Sequence, residues 1–127
     1  MNYLDQADIV AIGAAVLDRP LEVRDWGLVA SALARPATTV FGDDAYATVF
    51  DKAAALLLSL VTNHPFVDGN KRMGLAGAVA FLLKNGLELE LEEDQAYDFV
   101  LSVADGTRRE VDDVAAILEG WARPLAH

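Results

Sequence analysis

Ala53-Ala-Ala-Leu-Leu-Leu-Ser-Leu-Val-Thr-Asn-His-Pro-Phe-Val-Asp-Gly-Asn-Lys-Arg72 carries the chain from its most apolar segment straight into a polar turn. The first half belongs to a run, Ala45 to Thr62, that is apolar nearly all round, which predicts a central helix buried on most sides. Asn63, His64 and Pro65 stop that helix. The next is expected to begin near Gly69-Asn70 and to run to Lys84, with Asn85-Gly86 as its C-terminal stop. A short loop between two long apolar helices thus holds one of the chain's 2 histidines, a carboxylate and two adjacent cations.

Outward from this pair, the pattern stays helical. Residues 5–18 place Ile9, Ile12, Val16 and Leu17 at spacings of three and four, with Asp5 as cap and Arg19-Pro20 as stop. Asp25 caps a second helix, Trp26 to Ala34, which must close before Pro36. Pro36 to Tyr46 holds Thr38, Thr39, Val40 and Phe41 followed by Gly-Asp-Asp, so an extended flap or short hairpin is expected there. Leu87 to Leu91 alternates with period two and suits a short strand, and helices over Glu93–Ala104 and Glu110–Trp121 finish the chain. The sum is an all-α bundle of about six helices, one domain over residues 1–127, with a flap or hairpin before the central helix.

Composition narrows the class. At 127 residues and 13.6 kDa the chain can bury a core without crosslinks, and it has no cysteine for disulfides or thiolate metal sites. The hydrophobic fraction is 54% and the mean hydropathy +0.25, yet Ser59 and Asn63 break the most apolar run well short of the ~20 residues a bilayer requires. The N-terminus lacks the basic and then apolar order of a secretory signal, so a cytoplasmic protein with no membrane partner is expected. Ten Lys and Arg against 20 Asp and Glu give a net charge of −10, a field that repels nucleic-acid backbones.

Within that acidic chain Lys71-Arg72 stands out. A helix opening at Gly69 or Asn70 leaves the amides of Gly69, Asn70, Lys71 and Arg72 without intrahelical acceptors, at the positive end of the dipole, ready for an anion. Gly69 permits close approach and positive φ. An imidazole beside an anion site is a natural acceptor for the proton of an attacking hydroxyl, which suits His64 to that part. Asp68 is best used on a divalent cation that also holds phosphate oxygens. Phe66 anchors the loop to the core and Pro65 stiffens it. A plainer account exists for some of these residues: a loop histidine is usually a surface or cap residue, and Asp68 or Asn70 serves as an ordinary helix cap. That account does less well for the cations, each of which costs a few tenths of a kcal/mol at a helix N-terminus unless an anion sits there.

His64-Pro-Phe-Val-Asp-Gly-Asn-Lys-Arg72 closely resembles the Fic/Doc signature, HxFx(D/E)GNxxR or, in the Doc branch, HxFxD(A/G)NKR. Arg24 to Pro36 is similar to the segment upstream of that motif in death-on-curing proteins, and Ala80 to Gly86 to their helix after it, so the resemblance covers about residues 5–121. Nucleotidyl-transferring members carry Gly where this chain has Lys71, and a second Arg where it has Leu75. Ala76 stands where Doc proteins can have Asn.

The Doc branch implies a toxin that transfers the γ-phosphate of ATP, with Mg2+, to a threonine of translation elongation factor Tu and so halts translation. The resemblance then makes His64 the general base, Asp68 the magnesium ligand, and Gly69, Asn70, Lys71 and Arg72 the phosphate cradle. Residues 37–46 become a target-docking flap that pairs with substrate main chain. It further implies a partner antitoxin whose disordered tail folds on the toxin. A self-inhibitory Ser/Thr-xxx-Glu-Gly/Asn helix is not found in the chain. The competing readings are a Fic-type AMP (nucleotidyl) transferase acting on a protein hydroxyl and a catalytically inactive binding module of the same fold.

Overall fold

A buried, mostly apolar helix organises the molecule, as the sequence pattern requires. The structure, a computed structural model, describes residues 1–126; His127, to which the sequence assigns no role, lies outside them. Among the described residues there are six helices: α1 (Gln6–Val16), α2 (Trp26–Ala34), α3 (Val49–Thr62), α4 (Asn70–Lys84), α5 (Glu93–Ala104) and α6 (Val111–Trp121). Every residue of α3 from Lys52 to Val61 is buried, and α4, α6, α2 and α5 all pack against it. The α3–α4 contact is the closest: a Cβ on Gly74 would lie 2.5 Å from Val61 Cγ2, so only a glycine lets the two helices approach this far. The buried apolar side chains join in one cluster, from Leu4 and Ile9 through Leu56, Phe66 and Phe81 to Leu118.

Helices α2 and α5 have the bounds the sequence suggests. Helix α1 is shorter than residues 5–18, because Asp5 and Asp8 form a reciprocal capping box at its start and Leu17 is already extended. Helix α3 starts at Val49 rather than Ala45. Thr48 and Asp51 form a second capping box, while Ala45 N–H is drawn into the preceding hairpin by Thr38 O at 2.9 Å.

The stretch before α3 is in fact composite. Arg35–Ala37 makes one 3₁₀ turn, and then β1 (Thr39–Val40) pairs antiparallel with β2 (Asp43–Asp44). Phe41 (φ 52°) and Gly42 (φ 85°) form the turn between them, the double positive φ of the tightest hairpins. Near the other end of the chain, β3 (Leu87–Leu89) occurs where the alternation pointed. Its partner β4 (Ala122–Pro124) was not foreseen: Ala122-Arg-Pro carries no strand signature, and Pro124 is tolerated only because β4 is an edge. No helix of the described residues is long and apolar enough to cross a membrane.

Candidate active site

The loop between α3 and α4 is held by backbone pairing, and this fixes where its side chains stand. Arg24 and Asp25 N–H both donate to Pro65 O, at 2.8 and 3.1 Å, and Val67 N–H donates to Glu22 O at 3.0 Å, around a bridge between Val23 and Phe66. The Arg24 guanidinium adds Nε to His64 O at 2.8 Å and Nη2 to Asn63 O at 3.0 Å. Pro65 and Phe66 are buried, Phe66 at 1% exposure, so the loop is rooted in the core. His64 is exposed and has φ 51°, a left-handed conformation that costs a non-glycine residue of order 1 kcal/mol and persists where the surroundings fix it.

Asn70 closes the loop from the other side. Its Oδ1 accepts from Phe66 N–H at 3.0 Å and its Nδ2 donates to Phe66 O at 3.0 Å, so the amide side chain is bound to loop backbone. The cap position of α4 belongs to Gly69 (φ 80°), which offers no capping side chain. A Cβ there would also press on Leu17 Cδ2 at 3.0 Å. Neither Asp68 nor Asn70 caps the helix. Asp68 Oδ1 accepts from Gly69 N–H at 2.8 Å. The first hydrogen bond of the helix is Met73 N–H to Gly69 O at 2.8 Å, which leaves the amides of Asn70, Lys71 and Arg72 at the open, positive end.

These groups line a cleft of about 660 Å³. One wall is the end of α1 and the turn after it, Leu17 to Pro20; the opposite wall is the face of α5 carrying Ala96, Tyr97, Val100 and Leu101. His64, Asp68, Gly69, Asn70, Lys71 and Arg72 all reach this cleft, whereas Pro65 and Phe66 lie behind it in the core. The cations divide. Arg19 pairs with Asp68 at 2.9 Å, and Arg72 turns back to Val16 O at 3.3 Å and Asp18 at 3.9 Å, bracing the C-terminal end of α1. Among the described residues Lys71 enters no ion pair, and it stands exposed on the cleft.

Two contributors were missed in the sequence. Arg24 immediately precedes the cap Asp25 of α2, so it sets a cation against a helix dipole in the sequence just as Lys71 and Arg72 do. Tyr97 gave a weaker signal: along the sequence it falls off the apolar stripe of Ala96, Phe99, Val100 and Val103, and in the structure it stands 64% exposed.

The Fic/DOC family model matches residues 3–82, which contain the whole loop, all of α3 and α4 up to Leu82. Toxin Doc of Mycolicibacterium smegmatis is 47% identical over 124 residues, covering 95% of this chain and 94% of that one. Both matches run through the loop that lines the cleft, and this chain belongs to the Fic/DOC family.

Proposed function

We propose that the protein is a Doc-like toxin of a toxin–antitoxin pair, a protein kinase that moves the γ-phosphate of ATP to a threonine hydroxyl of elongation factor Tu. The observation that carries this reading is the placing of exposed His64, held at positive φ, on the same cleft as the open amides of α4 and unpaired Lys71. The similarity to Toxin Doc along nearly the full chain supports it.

In this reading His64 takes the proton of the threonine hydroxyl as its oxygen bonds to the γ-phosphorus and ADP departs. The amides of Asn70, Lys71 and Arg72 receive phosphate oxygens, and Lys71 adds charge there. The side chain of Asn70 contributes indirectly by keeping the loop closed on Phe66. Asp68 is the metal-facing carboxylate. Magnesium typically takes one or two protein carboxylates and fills its shell from phosphates and water, which suits a site where no cluster of three or more potential ligands occurs among the described residues. When bound, that ion would offset charge on the polyphosphate, and Asp68, whose pair with Arg19 is exposed and weak, would be the carboxylate to hold it. The apolar face of α5 gives the rest of the nucleotide a surface to lie on.

Lys71 and Leu75 favour phosphoryl over nucleotidyl transfer. A long cation occupies the place of the small glycine, and an apolar side chain on the cleft replaces the second arginine. Incubation with ATP, magnesium and purified elongation factor Tu is expected to add the mass of one phosphoryl group to a threonine, with no product from His64→Ala. An adduct of adenylate mass would move the protein to the nucleotidyl branch. Growth arrest by His64→Ala equal to that by the wild type would make it a binding module instead. An antitoxin whose tail folds over the cleft region completes the proposal.

A further inference from the structure

Lys52 is the one charged residue that the described molecule buries, at 2% exposure in the first turn of α3, where the apolar run of that helix begins. Fully buried lysines are rare, because removing an ammonium from water costs several kcal/mol unless partners meet it. Here Nζ donates to Pro36 O at 3.2 Å and pairs with Asp44 at 3.4 Å. Farther along α3, Ala55 O and Ser59 Oγ hold the guanidinium of Arg35 at 3.3 and 3.0 Å, and Arg35 Nε in turn donates to Tyr46 Oη at 2.8 Å. Both cations therefore end at the stem of the β1–β2 hairpin.

That hairpin adds nothing to the core. Both of its strands are exposed, and Phe41 at the tip is fully in solvent despite its positive φ. A ribbon of two residues per strand is not stable by itself, so its order has to come from the stem. We infer that Lys52 is a positioning residue: by tying Pro36 and Asp44 to the central helix it presents the open edge of the hairpin to an extended segment of the protein substrate. The inference rests on the kinase reading above and deepens it. Helix α3 is also the rod that ends at the loop of His64, so the latch sets the spacing between docking edge and general base. From Lys52 to His64 that rod spans roughly 18 Å at ~1.5 Å per residue, a distance that about five or six extended substrate residues bridge.

The test measures steady-state transfer from ATP and magnesium to elongation factor Tu for the wild type, Lys52→Met, Asp44→Ala and His64→Ala. Lys52→Met keeps the volume of the side chain and leaves only the half-exposed Asp44 without its partner, whereas Asp44→Ala keeps the Nζ bond to Pro36 O and lowers stability by leaving the buried ammonium without its counter-charge, so each variant is assayed at a temperature where circular dichroism shows it folded. Each latch variant is expected to raise KM for the protein about tenfold while kcat and KM for ATP stay within about twofold. Hydrogen exchange should quicken at residues 39–44 and remain slow in α3. Unchanged KM for the protein in Asp44→Ala, or a fall confined to kcat, overturns the inference; should Lys52→Met fail to fold, Asp44→Ala decides alone. A wild type that transfers nothing would instead bring down the functional reading itself.

Discussion

At the scale of single residues, the chemistry of the site depends on groups that never touch a substrate. His64 sits in a backbone conformation it does not favour, and the Arg24 guanidinium is what meets the carbonyls of Asn63 and His64 there. Because Arg24 is exposed and α2 keeps its Asp25 cap, Arg24→Met should leave the fold intact, at a cost of about 1–2 kcal/mol for two charge-assisted bonds. Transfer activity is expected to drop further, by about ten- to a hundredfold, since a small misplacement of a catalytic base has that effect. Circular dichroism and a kinetic assay on one preparation check this; activity equal to wild type would show that the backbone pairing of residues 22–25 holds His64 unaided. The cations of the signature also separate here. Neighbours in a helix point about 100° apart, so the sequence already sends Lys71 and Arg72 in two directions. That Arg72, though it lines the cleft, is engaged in bracing α1 while Lys71 stays unpaired depends on where Val16 O and Asp18 lie.

At the scale of elements, the cleft depends on how α1 is moored, because the turn after α1 forms one of its walls. The mooring is Asp8: it belongs to the capping box of α1 and pairs with Lys84 of α4 at 2.9 Å. The hydrogen bond from Lys84, followed by the one from Asp5 N–H, holds the Asp8 carboxyl below its ordinary value of 3.8. A carboxyl with a depressed folded-state pKa contributes stability that is present above the unfolded value and lost as pH falls through the folded one. Urea midpoints should therefore decline between about pH 5 and pH 3, and Asp8→Asn should flatten part of that decline while lowering stability at pH 7 by about 1 kcal/mol. Identical pH profiles for the two proteins would remove Asp8 from the account. The hairpin teaches the complementary lesson. Its β-prone residues and glycine were legible, but the 3₁₀ turn before it and the late start of α3 follow from Arg35, Lys52 and the Thr48–Asp51 box competing for the same few residues.

At the scale of the whole molecule, the C-terminal strand closes the bundle away from the site. Strand β4 pairs with β3, Leu125 N–H reaches Gly86 O at 2.9 Å, and Arg123 bonds Glu88 at 3.1 Å and also meets Glu90, so α6 is tied to the connection between α4 and α5. Among the described residues none beyond Ala104 lines the cleft. Ending the chain after Trp121 should lower Tm by roughly 5–10 °C, the loss of a few backbone hydrogen bonds of ~1 kcal/mol each, and leave transfer at 25 °C within about twofold. Calorimetry and the same assay read both, and loss of activity at low temperature would mean that the strand supports the site. What the sequence determined by itself was local in origin: apolar periodicity set the helices, Asn63-His64-Pro65 broke α3, and Gly69 opened α4, because each needs only neighbours along the chain. Tertiary structure alone decided what depends on distant partners: the grip of Arg24 on the His64 loop, the split between Lys71 and Arg72, the latch of Lys52 and the pairing of β3 with β4. Hydrogen bonds and ion pairs between remote segments leave no period in a sequence, so they become visible only once the helices have brought those segments together.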